Sequence, residues 1–284
     1  MTTVKVAALQ MRSGTEPGAN VEAFEALVRE AAAAGAAYVQ SPEMTGLLVR
    51  DKAALMQHIV ADTEDALVRR ASDLARELAI HVHVGSTAIA RPDGKVANRG
   101  FLFSPEGARL ATYDKIHMFD VDLDNGESWR ESATYEPGRA TRVVRLPFGN
   151  LGMAVCYDLR FPQLFRAQAL AGAHVLTVPA AFTRQTGQAH WHVLLRARAI
   201  ENGAFVVAAA QGGRHADGRE TFGHSMIVDP WGRILAEADH DEPGVVMAEI
   251  DLAAVDEARR KVPNLKNARD FEIDGPASAA GAAA

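Results

Sequence analysis

Short apolar runs alternate with amphipathic stretches along the chain, and their periods predict its elements. Val4 to Gln10 is a valine-rich strand and Tyr38-Val39-Gln40 a shorter one. Between them, Asn20 to Ala34 has helical spacing, with Asn20 as N-cap and Gly35 as its stop. Asp62 to Leu78 predicts a long amphipathic helix capped by Asp62. His81 to Ala90 and Val96 to Phe103 are strands joined by a Pro-Asp-Gly turn, and Arg109 to Asp114 follows a second turn at Ser104-Pro105-Glu106-Gly107. From Ile116 to Gly138 periodicity is lost, and a loop of that length in a compact domain points to function.

The second half repeats the alternation. Thr141 to Leu146 and Leu151 to Val155 are strands, Phe161 to Ala171 a helix, Val175 to Pro179 a strand, Ala189 to Asn202 a helix and Phe205 to Ala210 a strand. Ser225 to Asp229 pairs with Ile234 to Ala238 across Pro230-Trp231-Gly232, and Val245 to Ile250 precedes a helix from Leu252 to Lys261. Hairpins inside a βαβ pattern predict mixed sheets in one α/β domain over residues 1–274, either two sheet layers with helices outside or one sheet wrapped by helices. The small residues of 275–284 predict a mobile tail.

Composition narrows the class. Hydrophobic residues at 48% and charged residues at 23% describe a soluble globular chain, and a net charge of −6 with no dense basic run argues against nucleic acid or an anionic membrane as partner. The first strand begins at once, without a leader pattern, so a cytoplasmic enzyme is the expectation. No Walker loop or Gly-x-Gly-x-x-Gly follows a strand, so no cofactor is indicated. His81 and His83 share a strand face but bring no third ligand into view, so no metal is expected.

Chemistry gathers around the chain's single cysteine. Cys156 ends an apolar strand just before Pro162 opens a helix, so nearby amides and a helix dipole would favour a thiolate or an oxyanion. A buried cysteine acting as a small hydrophobe is the alternative, but Tyr157, Asp158 and Arg160 crowd polar groups around it. A thiol needs a base, and Glu43, at a strand's end between Pro42 and Met44, is the candidate, its pKa raised by desolvation. Lys115, followed by Ile116-His117-Met118-Phe119, is the candidate charge stabiliser, an ion pair with Asp114 or Asp120 being the other reading. Arg160, one helical turn past Cys156, could clamp a substrate carboxylate or pair with Asp158, and Phe182 and Thr186 would line the pocket. His117, His174, His190 and His224 are available for a cysteine–histidine dyad, but nothing in the sequence fixes one beside Cys156.

Pro42-Glu43-Met44, Tyr113-Asp114-Lys115-Ile116-His117 and Gly152 to Pro162 together resemble, in order and spacing, the three motifs of the nitrilase superfamily of carbon–nitrogen hydrolases. The resemblance implies Glu43 as general base, Lys115 as stabiliser, Cys156 as nucleophile and Glu131 as a second acid that positions Lys115 and the substrate amide. It implies amide hydrolysis through a thioester, with the backbone N–H of Tyr157 joining Lys115 at the oxyanion. It also implies a four-layer αββα sandwich that forms a homodimer or a higher homo-oligomer. Pro179 to Thr183, Leu194 to Asn202 and Gly223 to Gly232 look most like the branch containing deaminated-glutathione amidase and ω-amidase, and Gln211 to His215 favours the former, although His192 stands where that branch has a glutamate. The expected substrate is a small amide with a carboxylate at one end and a terminal carboxamide, released as ammonia, at the other, deaminated glutathione being favoured. α-Ketoglutaramate and N-carbamoyl amino acids are the alternatives within the enzyme class; an inactive binding scaffold of the same fold is the alternative outside it.

Overall fold

A computed structural model describes residues 3–123, 126, 128–273 and 275; apart from Gly275, the predicted tail lies outside them. The first half lays down β1 (Thr3–Gln10), β2 (Tyr38–Gln40), β3 (His81–Ala90), β4 (Val96–Phe103) and β5 (Arg109–Asp114), with α1 (Pro17–Ala33), α2 (Lys52–Met56) and α3 (Ala66–Leu78) between them. A ribbon of β6 (Asp120–Asp122) and β7 (Ser128–Arg130) follows. The second half gives β8 (Arg142–Leu146), β9 (Gly149–Met153), α4 (Pro162–Leu170), β10 (Val175–Thr177), α5 (Arg184–Asn202) and β11 (Phe205–Ala208). Then come a hairpin of β12 (Gly212–Arg214) and β13 (Glu220–Phe222), the pair β14 (Met226–Val228) and β15 (Ile234–Glu237), β16 (Gly244–Asp251) and α6 (Ala253–Lys261).

Two six-stranded sheets result, ordered β16-β1-β2-β3-β4-β5 and β15-β14-β11-β10-β9-β8. Each has a parallel core, β1-β2-β3 in one and β9-β10-β11 in the other, flanked by antiparallel strands. Strand alternation builds the layers. Val4, Val6 and Ala8 of β1 point to the second sheet and meet Leu151, Leu176 and Val206, while Ala7 and Leu9 point outward to Phe24 and Val28 of α1 and Leu74 of α3. The outer face of the second sheet takes α4 and α5 through Phe165, Trp191 and Leu195. This is the αββα sandwich, and of the two architectures left open by periodicity it is the one with paired sheets. Among the described residues no helix is long and apolar enough to cross a membrane.

Helix starts depart from the pattern, each for a local reason. Pro17 opens α1 a turn earlier than Asn20, since its fixed φ and missing N–H suit a first turn. Asn20 is not the cap; its buried side chain bonds Gly14 and Gly46. α3 begins at Ala66 because Asp65, accepting from the Val68 N–H at 2.9 Å, is its cap, while Asp62 pairs with Arg109 at 2.8 Å. α5 begins at Arg184, five residues before the predicted start, behind the cap Thr183. The aperiodic stretch contains β6, β7 and a 3₁₀ turn at Glu131–Ala133, and α2, β12 and β13 had no sequence signal.

The carboxyl ends of the parallel strands of both sheets converge, which is where such sheets place ligands. Gly85 marks the meeting point. A Cβ there would lie 2.1 Å from the Ser41 carbonyl oxygen and 2.3 Å from Pro179 Cβ. Gly85→Ala is therefore expected to drive the chain after β2 from the chain after β10, costing more than about 2 kcal/mol and depressing kcat. Denaturant unfolding checks this, and a wild-type midpoint would refute it.

Candidate active site

Cys156 leaves β9 on a tight corner. It begins a 3₁₀ turn, Cys156–Arg160, with φ +49°, a left-handed conformation costly for a residue with a Cβ. Two bonds hold it. The Cys156 N–H donates to the Pro179 carbonyl at 2.9 Å, and the Val155 N–H donates to the Asp158 carboxylate at 2.9 Å. Met44, next to Glu43, is also left-handed at φ +56°, so the backbone is constrained on both sides of the cleft.

Between those corners lies one buried charge cluster. Lys115, at the end of β5 and only 2% exposed, directs Nζ to Glu43 Oε1 at 2.8 Å and to both carboxylate oxygens of Glu131 at 2.9 and 2.8 Å. Asn98 of β4 ties the two acids together, its Nδ2 donating to Glu43 at 2.9 Å and to Glu131 at 3.1 Å. The Ala181 N–H holds the other Glu43 oxygen at 3.0 Å, and the Phe119 N–H holds Glu131 at 2.6 Å. Asp114 and Asp120 are not the partners of Lys115; Asp114 pairs with Arg99 at 2.6 Å and Asp120 bonds Ser132.

These contacts set the protonation states. Desolvation pushes Glu43 up, but the Lys115 charge and the hydrogen bonds of Cys156, Lys115 and Asn98 outweigh it and bring Glu43 below its ordinary value. This corrects the expectation of a raised base. For Lys115, desolvation is overcome by the charges of Glu131 and Glu43, and its pKa rises well above the usual value. Burial and the Glu43 charge push the Cys156 thiol well up, against the pull of Lys115. Burial beside the Glu43 charge thus keeps the resting sulfur a thiol, not the dipole-stabilised thiolate allowed by the sequence.

The cluster faces a cavity of about 230 Å³, and Tyr157, Arg160, Phe182 and Thr186 all line it. Arg160 lies 5.5 Å over the Phe182 ring and 5.9 Å over Tyr157, and it meets His190 at 3.3 Å. It forms no ion pair with Asp158, which is fully buried behind the corner.

A carbon–nitrogen hydrolase family model matches residues 5–260, nearly the whole chain. The chain belongs to the carbon–nitrogen hydrolase family. Members of that family act on non-peptide C–N bonds, and this hydrolase is 39% identical over 272 residues to the deaminated glutathione amidase of Yersinia enterocolitica, covering 95% of this chain and 94% of the relative. It is 40% identical to the human protein of that name over 93% of this chain and 82% of the relative. Among solved structures, Caenorhabditis elegans NitFhit aligns with a TM-score of 0.88 at 34% identity; the match covers 95% of this chain and 66% of that longer one. Saccharomyces cerevisiae Nit3, of branch 10 of the nitrilase superfamily, aligns at 0.83 and 27% identity over 92% and 95% of the two chains.

The histidines of the hydrolase lie elsewhere. His117 bonds Asp158, His174 accepts from the Asn150 N–H, His190 meets Arg160 and His224 bonds the Phe222 carbonyl. His192 bonds Glu237 and is not among the cavity residues. Of the residues around the site that sequence reasoning missed, Asn98, which ties Glu43 to Glu131 behind the cavity, had one faint signal, an amide inside the apolar strand Val96–Phe103. Arg50, Trp129 and Arg219 line the cavity and had none.

Proposed function

We propose that this chain, acting as a single domain over residues 1–274, is an amidase that cleaves a small carboxylate-bearing amide through a thioester on Cys156, with deaminated glutathione as substrate. Glu43 takes the thiol proton while Sγ bonds the amide carbon, and the carbonyl oxygen becomes an oxyanion facing Lys115 and the Tyr157 N–H. Collapse of that intermediate breaks the C–N bond, and the departing nitrogen takes the proton from Glu43. Water then attacks the thioester with Glu43 again as base, and the thiol is restored. Glu131 acts through Lys115, fixing its ammonium. The Arg160 fork offers a substrate carboxylate bidentate contact, with Tyr157, Phe182 and Thr186 shaping the acyl pocket.

The observation that carries this reading is the position of Lys115 between two carboxylates, with Cys156 on the wall of the same cavity. The names of the relatives supply the substrate. In a glutathione-like amide the nitrogen is substituted, so the leaving group is a peptide amine; ammonia would leave only from a primary carboxamide. As partner we propose a second copy of the chain. Val193 and Ile200 on α5, 69% and 53% exposed, and Trp231, 51% exposed, give that side of the molecule an apolar face.

The test is turnover of deaminated glutathione, α-ketoglutaramate, an N-carbamoyl amino acid and an aliphatic nitrile, following released amine or ammonia. Deaminated glutathione is expected to be fastest, and Cys156→Ala to lower its kcat by about 10⁴-fold or more. Turnover of none of the four by the native chain would overturn the reading and bring the inactive scaffold forward.

A further inference from the structure

A second recess, of about 420 Å³, opens beside the first and shares Arg50, Trp129 and Arg219 with it. The shared wall has an unusual charge pattern. Two guanidinium groups contact the one indole, Arg50 at 4.6 Å from the ring centroid and Arg219 at 4.5 Å. Arg219 is the more enclosed, its side chain only 15% exposed. Among the described residues its Nε has no hydrogen-bond partner, and its guanidinium is ion-paired with Asp217 at 3.5 Å. Among the described residues Arg50 meets no carboxylate; it reaches the Ser128 carbonyl at 3.3 Å. Among the described residues the one acid lining the recess, Glu220, pairs with Arg184 at 3.2 Å, and Arg184 also pairs with Asp241 at 2.5 Å. Two guanidinium groups share the one ring, and Asp217, ion-paired with Arg219 at 3.5 Å, offsets only one of them, so the wall is left with positive charge that an anion entering the recess would offset. Gln185 and Gln188, on the far side of the recess, supply amides that suit a peptide backbone.

Resting on the amidase reading above, we propose that this recess receives the leaving-group half of the substrate and that Arg219, with Arg50 beside it, grips a carboxylate there. The acyl half of the substrate proposed above then occupies the cavity over Cys156, and its amine half passes Trp129 into the recess. The specificity of the enzyme for its leaving group is then set by Arg219, separately from the acyl contacts of Arg160.

Binding of the leaving group alone tests this without turnover. Alanylglycine and alanylglycine N-methylamide are titrated calorimetrically into the Cys156→Ala protein, which leaves both probes intact. The free carboxylate is expected to bind about tenfold tighter or better, as a charge-assisted bond to a buried guanidinium warrants. Arg219→Gln is expected to collapse that ratio to near unity and Arg50→Gln to narrow it, both read as ratios within one folded variant. Equal affinity for the two probes in the Cys156→Ala protein, or a ratio unchanged by both arginine substitutions, overturns the subsite. A retained ratio in a chain that hydrolyses none of the panel would instead overturn the amidase reading and leave the subsite standing.

Discussion

Replacing Lys115 with methionine is expected to lower kcat at pH 7 by at least about 10³-fold and to destabilise the fold by about 3–5 kcal/mol. Two effects add on the rate. An oxyanion donor is lost, which alone is worth about 10²- to 10³-fold. In addition, Glu43 loses the charge that holds its pKa down, and desolvation, the largest influence on it, then takes over. Without the ammonium, desolvation favours the protonated form of Glu43. A protonated Glu43 cannot take the thiol proton, so residual activity should climb as pH rises.

The sign of the stability change can be checked independently. In the native chain Glu43 lies below its unfolded value, so its contribution is present above about pH 4.5 and fades as pH falls through the folded pKa. In Lys115→Met the folded pKa lies above the unfolded one. That variant should be closer to native stability at pH 4–5 than at pH 7, with the gap widening as Glu43 is forced to ionise. Urea midpoints across that range, with pH–rate profiles, measure both; a rate within tenfold of native, or a stability gap independent of pH, would refute the account.

What the sequence made legible was local. The apolar runs of β1, β3, β4 and β11 carry their own period, and the strands formed nearly where they were read. The cap of α3 was misplaced because Asp62 and Asp65 are chemically equivalent along the chain, and it takes distant partners, Arg109 at 47 residues from Asp62 and Arg99, to distinguish them. In the site, Glu43, Lys115 and Cys156 could be read because each sits at a strand end in a recognisable motif. The pKa of Glu43 could not, because its sign is decided by a lysine 72 residues away. Asn98 escaped for the same reason, its two partners lying 55 and 33 residues off. Arg219 and Trp129 meet only because a hairpin and a ribbon from opposite halves of the chain fold over the same cleft.

Asp158→Ala is expected to cost about 3–5 kcal/mol and to depress kcat more than tenfold, with a smaller effect on KM. Asp158 is not among the residues lining the cavity, yet it joins the segments that carry Lys115 and Cys156. One carboxylate oxygen accepts from the Tyr113 hydroxyl at 2.7 Å and the Val155 N–H at 2.9 Å; the other meets the His117 N–H at 3.1 Å and its Nδ1 at 2.6 Å. Tyr113 and His117 bracket Lys115, and Val155 immediately precedes Cys156. A fully buried side chain therefore sets the distance between ammonium and thiol from behind. Alanine strips four contacts and leaves buried donors unpaired, each worth about 1–3 kcal/mol when orphaned. Relaxation of the strained corner at Cys156 then offsets part of the stability loss while it ruins the alignment, so activity should fall further than unfolding alone explains. Asp158→Asn, which keeps the volume and one acceptor, should lie between. Rates taken well below each variant's unfolding midpoint separate misalignment from unfolding, and an alanine variant that is less stable but equally fast per folded molecule would reduce Asp158 to a purely structural tie.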